Sequence, residues 1–245
     1  SVSDAPFARV STLADELDIP VHIHLHETAA EVANSVRAHG ERPIARLARL
    51  GLLNPRLIAA HTVHLHEGEI ERLAECAASV VHCPESNLKL GNGFCPAQQL
   101  LNAGINVALG TDGAASNNDL DLHGEMRTAA LLAKGLTGNA RALPAATAVE
   151  MATLGGARAL ALDDEIGSLL PGKSADVIAM DLGGLETQPV HDPLSHLVYA
   201  CARSMVTNVW IAGRPVVKNR ELLTLDEDGV LANAQQWHQR MTSDD

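Results

Sequence analysis

The 245-residue chain has no Lys/Arg-rich run, and 18 basic against 30 acidic residues give a formal charge of −12. That balance argues against a nucleic-acid or anionic-membrane surface. No apolar run approaches ~20 residues, so no membrane-spanning helix is expected, and no charged-then-apolar signal segment opens the chain. The four cysteines, Cys76, Cys83, Cys95 and Cys201, form no CxxC pair. They are read as buried thiols of a reducing, cytoplasmic compartment. No glycine-rich loop of the GxGxxG or GxxxxGKS/T type follows an apolar run, which removes support from nucleotide-cofactor and NTPase readings. Repeats of solenoid period and low-complexity segments are missing too.

What the chain does have is apolar content, 46% against 20% charged residues, enough to bury a core. It also has twelve histidines, clustered in its first half. The densest stretch is Val21-His22-Ile23-His24-Leu25-His26-Glu27. Strand alternation would put His22, His24 and His26 on one face and the aliphatic residues on the other. Thr28-Ala29-Ala30-Glu31 follows with the spacing of a capping box, so a helix is predicted to start near Thr28. The three histidines span about 13 Å of strand, so they do not form a zinc cage by themselves, whose ligands sit at about 2 Å.

Helical spacing is evident over 6–18, 28–39, 43–50, 67–77, 96–103, 119–134 and 144–161. Short apolar runs at 21–26, 57–61, 79–83 and 106–110 read as buried strands. Four successive β–α units imply a parallel sheet covered by helices. In each unit polar residues gather at the C-terminal end of the strand: His24 and Glu27, His61 and His64, Cys83 and Asn87, then Asp112. Active sites of (β/α)8 barrels and open α/β sheets are built at that edge. From about residue 166 the pattern turns β-rich, with strands at 177–180 and a hairpin over 206–217, and a last helix is predicted over 226–241. The division expected is 1–165 and 166–245.

Carboxylates and histidines on successive strand ends can hold one divalent ion and leave a position open for water. His24 and Asp112 are candidate ligands. His61 is placed to hold the attacking oxygen or its developing charge, Glu27 to shuttle a proton, and Asp112 to accept one from water. His64 and His66 are expected only to cap or solvate a helix, and His39, His191, His196 and His238 to be isolated surface or satisfied side chains. Asn117-Asn118-Asp119 reads as a helix N-cap. A Cys83–His82 nucleophile is disfavoured, because strand neighbours point to opposite faces.

Taken together, His24-Leu25-His26-Glu27-Thr28, Ala59-Ala60-His61-Thr62-Val63-His64-Leu65, Pro84-Glu85-Ser86-Asn87-Leu88-Lys89-Leu90-Gly91-Asn92-Gly93, Leu109-Gly110-Thr111-Asp112-Gly113-Ala114-Ala115-Ser116-Asn117-Asn118 and Gly172-Lys173-Ser174-Ala175-Asp176 resemble the amidohydrolase superfamily. Within it they resemble the 5′-methylthioadenosine/S-adenosylhomocysteine deaminases. The resemblance implies a zinc-dependent hydrolase, with Fe2+ or another divalent metal as the alternative, on a TIM barrel with a composite β-sandwich. By matching position His24 and Asp112 would bind the metal. Glu27 would touch the purine and carry a proton to a ring nitrogen, and His61 and Asp112 would serve the attacking water. The substrate implied is a small nucleoside whose adenine ring loses ammonia. Related guanine deaminases and triazine hydrolases share the framework, so guanine, another aminopurine or pterin, or a chlorotriazine are alternatives. A silent chain completing another subunit's barrel is the non-enzymatic one.

The family's His-x-His pair on the first barrel strand has no counterpart here, since the HxxE match identifies residues 21–26 as the fifth strand. Only four β–α units are present, and the chain opens at Ser1. The expectation is therefore the C-terminal part of a longer protein, with barrel strands five to eight and part of the sandwich. Such a fragment would be inactive until the N-terminal part of the same protein completes the site. Homo-oligomers are common in the family.

Overall fold

The structure, a computed structural model, describes residues 2–242. Helix α1 (Asp4–Leu17) leads into strand β1 (Val21–Leu25), followed by helices α2 (Ala29–His39) and α3 (Pro43–Arg49). Strand β2 (Leu57–His61), helix α4 (Glu67–Glu75) and strand β3 (Ser79–His82) come next. Helices α5 (Pro84–Lys89) and α6 (Ala97–Asn102) lead to β4 (Val107–Leu109). Helices α7 (Ala114–Asn117), α8 (Leu122–Thr137), α9 (Ala145–Ala152) and α10 (Leu154–Ala159) complete this part. The four strands form one parallel sheet in the order β1-β2-β3-β4. The expected alternation is thus found, and every crossover between neighbours is helical.

In-register pairing sets the two faces of this sheet. Ile23, Ala59, Val80 and Val107 form one row across it. That row, with Leu25, Leu57 and Leu109, packs on Ile44, Leu47, Leu73, Leu100 and Met126 of the covering helices. Apolar side chains therefore fill the sheet–helix layer, and burial at about 25 cal/mol per Å2 makes that layer the main source of stability. His24 belongs to the opposite row, with Ala60, Val81 and Ala108. There small residues leave room beside the imidazole.

A second, antiparallel sheet has the order β5-β6-β7-β8, with β5 (Val177–Met180), β6 (Val206–Ile211), β7 (Arg214–Lys218) and β8 (Glu221–Leu222). Helix α11 (Pro193–Tyr199) lies between β5 and β6 and packs on α9 and α8, and α12 (Glu227–Thr242) ends the described residues. The predicted 206–217 hairpin and final helix are present.

Several local expectations are corrected. His26 does not share the His22/His24 face. It lies past the end of β1 at φ 55° and is fully buried. Helix α8 is capped by Asp121, whose carboxylate accepts from His123 N–H at 3.0 Å, rather than by residues 117–119. The helical stretch 144–161 breaks at Thr153 into α9 and α10. Thr28 caps α2 as expected, accepting from Glu31 N–H at 3.0 Å. The Glu31 carboxylate, however, reaches past Thr28 to accept from the backbone N–H groups of Glu27 (2.7 Å) and His26 (3.1 Å).

Candidate metal centre

The strand ends are built from backbone that few residues tolerate. His26, His61, Thr62 and Asp112 have φ values of 55°, 71°, 46° and 64°. Non-glycine residues in this left-handed region are uncommon, with Asn, Asp and His among the most tolerant, and such strain gathers at functional sites. At His61 and Asp112 the turn diverts the chain at the strand's end. The His26 turn is fixed by the end of β2: Val63 and His64 both donate their N–H to the His26 carbonyl at 3.0 Å.

These turns bring His24, His61 and Asp112 together, with one potential donor atom from each lying within 4.8 Å of the others. His24 Nε2 is 3.7 Å from Asp112 Oδ1, and the His24 and His61 rings meet edge-on at 4.8 Å between centroids. The Glu27 carboxylate is next to them, with Oε2 4.0 Å from His61 Nε2. All four residues singled out in the sequence therefore meet at one edge of the sheet. An open groove of about 790 Å3 beside β1 is lined by His22, His24 and Glu27 together with Phe7 and Arg46.

Supporting residues orient these groups. The His61 ring is buried, and Nδ1 lies 2.9 Å from Asn87 Oδ1. An amide oxygen only accepts, so the His61 proton sits on Nδ1 and Nε2 presents its lone pair. That Nε2 is buried with no hydrogen-bond partner, an arrangement that is costly unless something occupies the site. Asp112 Oδ2 accepts from Ser86 Oγ at 2.8 Å and also from Ser116 Oγ, leaving Oδ1 towards His24. Burial opposes the charge on Asp112, but the two hydroxyls and the Gly113 N–H outweigh it and hold its carboxyl below the ordinary carboxylate range. Two imidazole nitrogens, one of them the orphaned buried Nε2 of His61, and one carboxylate oxygen suit a borderline divalent cation such as zinc.

Behind the site lies Glu125 of α8, fully buried. Its carboxylate accepts from Glu85 N–H at 3.1 Å and Asn117 Nδ2 at 2.7 Å. It thus ties the start of α5, which carries Ser86 and Asn87, to the end of α7, which carries Ser116. Burial, reinforced by the neighbouring Glu85 carboxylate, pushes the Glu125 carboxyl up to about 8. Sequence reasoning missed Ser86, Ser116 and Glu125 and left Asn87 without a partner. The SNLK and TDGAASNN stretches were the available signal.

The other histidines are placed largely as expected. His66 precedes α4, its N–H donating to Glu69 at 3.2 Å. His64 does more than cap, since its ring contacts the Asn92 carbonyl at 2.9 Å. His39, His191 and His238 are exposed, and the His196 ring contacts the carbonyl of Asp192, the N-cap of its own helix, at 3.0 Å. Cys83 and Cys95 are buried free thiols whose pKa values burial raises, Cys95 to about 12, which leaves no reactive thiolate. Among the described residues no helix is long and apolar enough to cross a membrane.

Residues 1–216 match the amidohydrolase family. The chain belongs to that family. It is 50% identical to a 5-methylthioadenosine/S-adenosylhomocysteine deaminase of Teredinibacter turnerae over 98% of its own length and 54% of the relative's. A protein of the same name from Moorella thermoacetica is 48% identical over 91% of this chain and 52% of that one. Among solved structures, an adenosine deaminase from Xanthomonas campestris with bound zinc superposes with a TM-score of 0.97 at 58% identity, covering 99% of this chain and 55% of that one. A zinc-complexed atrazine chlorohydrolase from Arthrobacter aurescens gives 0.91 at 29% identity, over 96% and 52% of the two chains. This amidohydrolase chain thus spans about half the length of the curated relatives it matches, and it has a metal-dependent-hydrolase fold.

Proposed function

We propose that the chain is the C-terminal part of a zinc-dependent deaminase that hydrolyses the adenine ring of 5′-methylthioadenosine, S-adenosylhomocysteine or both. Residues 1–165 would supply strands five to eight of a (β/α)8 barrel, and residues 166–245 part of a composite sandwich. The N-terminal part of the same protein would supply the remaining strands and a His-x-His pair. The observation that carries this reading is the meeting of His24, His61, Asp112 and Glu27 at one sheet edge, in a chain about half identical to proteins named for that activity.

His24 and Asp112 would hold the ion, which when bound lowers the pKa of water to about 7 and makes it a nucleophile at neutral pH. Asp112, oriented by the two serine hydroxyls on Oδ2, would also accept a proton from the attacking water. His61 Nε2, whose lone pair is unpartnered, would accept a hydrogen bond from the attacking oxygen and orient it towards the ring carbon bearing the amino group. Glu27 would touch the ring and deliver a proton to a ring nitrogen; the proton that Asp112 took from the water would pass to the departing amino group, and the added hydroxyl's hydrogen would return to Glu27. Addition of water and loss of ammonia leave the oxo-purine.

The test joins this chain to an upstream segment that ends its first strand in His-x-His, and measures ammonia release from methylthioadenosine. Activity is expected from the joined protein and none from residues 1–245 alone. Glu27→Gln and Asp112→Ala should each lower kcat/KM by about 10^3-fold or more. Ammonia release that survives both substitutions would sink the residue assignment. A parallel panel with guanine, a pterin and a chlorotriazine, scored for ammonia and chloride, separates the substrate classes.

A further inference from the structure

Glu27 has a supporting residue that neither its strand nor its helix provides. Asn92 Nδ2 donates to Glu27 Oε1 at 3.0 Å, the one side-chain hydrogen bond that carboxylate receives among the described residues. With Oε1 taken, Oε2 is the oxygen left facing His61. Asn92 is 65 residues downstream, so nothing in the local pattern around Glu27 points to it.

Asn92 is itself held from three directions. Its backbone N–H donates to the Asn87 carbonyl at 2.9 Å, and Asn87 is the residue whose side chain holds His61. Its carbonyl is 2.9 Å from His64 Nε2, which must donate there because a carbonyl only accepts. Next to it, Gly93 has φ 114°, and a Cβ at that position would lie 3.0 Å from Val63 Cγ1. Only glycine lets the turn press against the 62–64 segment that closely.

The support continues inward to an ion pair between half-buried Arg42 and buried Glu69. The His64 carbonyl accepts from Arg42 Nη2 at 2.7 Å and from His26 Nδ1 at 3.0 Å. His26 Nε2 accepts from Ile44 N–H at 3.2 Å, which puts the His26 proton on Nδ1. Arg42 in turn grips both oxygens of buried Glu69 at 2.7 Å. Every link runs donor to acceptor in one direction, from Arg42 and His26 through His64 and Asn92 to Glu27. A bidentate Arg–carboxylate pair is a rigid anchor for such a chain.

We propose that Asn92 is the positioning residue for Glu27: it fixes the carboxylate so that Oε2 points to the reacting ring, and the His64 ring and the 91–93 turn hold Asn92 for that task. This rests on the deaminase reading above, in which Glu27 moves the proton. A group that orients the proton carrier without binding substrate acts on the chemical step, so its loss separates kcat from KM.

Two measurements decide it. In the joined protein, Asn92→Ala should lower kcat about 10-fold or more with KM changed less than about 3-fold, the loss expected when one charge-assisted hydrogen bond no longer fixes a catalytic group. Asn92→Asp, which sets a like charge against Glu27, should lower kcat further. In the 245-residue chain without metal or substrate, the Asn92 side-chain amide is assigned in the NMR spectrum by its disappearance in Asn92→Asp. In Glu27→Ala its protons should move upfield by more than those of any other asparagine side chain. An unmoved amide signal overturns the proposal whether or not the joined protein is active. Equal losses in kcat and 1/KM would make Asn92 a residue of loop structure only, and also overturn it. Absence of ammonia release from the unsubstituted joined protein would instead strike the deaminase reading, leaving the amide signal to decide the hydrogen bond.

Discussion

The two sheets of this chain are stabilised in opposite ways. The parallel sheet and its helices bury Leu25, Leu57, Ala59, Val80 and Leu100 to 1% exposure or less. In the antiparallel sheet no residue of β5, β6, β7 or β8 reaches that state, and α12 buries nothing. Its apolar residues Leu231, Trp237 and Met241 are 61%, 56% and 69% exposed. The first region has a core filled by its own side chains. The second presents apolar surface of the kind that marks an interaction face. A site demanding sub-ångström placement sits on the region that carries its own core.

The sharpest way to break this contrast is to cut the same kind of mass from each region. Leu57→Ala should cost about 2–5 kcal/mol by loss of transfer energy and a residual cavity. A urea titration reads that directly, and a loss below 1 kcal/mol would mean the parallel core is loosely packed.

The next effect is electrostatic and also confined to the first region. Glu125, with its carboxyl raised from an ordinary 4.5 to about 8, holds its proton in the folded chain where the unfolded chain has lost it. Its contribution is complete below about pH 4.5 and is lost as pH rises to about 8, a change on the order of 2–4 kcal/mol. Urea midpoints at pH 5 and pH 8 should therefore draw closer together in Glu125→Gln than in the unsubstituted chain. Identical pH slopes would show that the carboxyl titrates normally.

His82 works in the other direction. Burial, with the nearby His61, lowers its pKa from 6.5 to about 4, so it stays neutral in the fold. Its share of stability is present above about pH 6.5 and fades as pH falls to about 4, by about 1–3 kcal/mol. His82→Gln should flatten acid unfolding in that window, followed by circular dichroism. The smallest effect belongs to the second region: Trp237→Ala should change stability by less than about 0.5 kcal/mol. A cost matching that of Leu57→Ala would erase the contrast.

The strands of the parallel sheet were legible because each is a short apolar run stopped by proline, glycine or a polar cluster, whereas the two-residue β8 was not. Helices α5, α7 and α11, of six, four and seven residues, were not, because so few turns leave little period to read; α3 and α6, equally short, were legible from the apolar spacing and the glycine that follows each. Alternation failed at His26 because it presumes extended backbone, which a positive φ denies. Of the candidate site, His24, Glu27, His61 and Asp112 were readable as polar residues at strand ends. Ser86, Asn92 and Glu125 were not, since each acts on a partner 26 to 65 residues away or on two short helices at once. Such pairings exist only after folding.

The left-handed backbone at His61 and Asp112 has a further consequence. A glycine would relax either turn by about 1 kcal/mol while erasing the side chain that the chemistry requires. Selection for a sturdier chain and selection for a working one therefore pull these two positions apart. A search for thermostable variants that ignored activity would reach glycine first at Asp112, which is only partly buried, since glycine at the fully buried His61 would also leave a cavity.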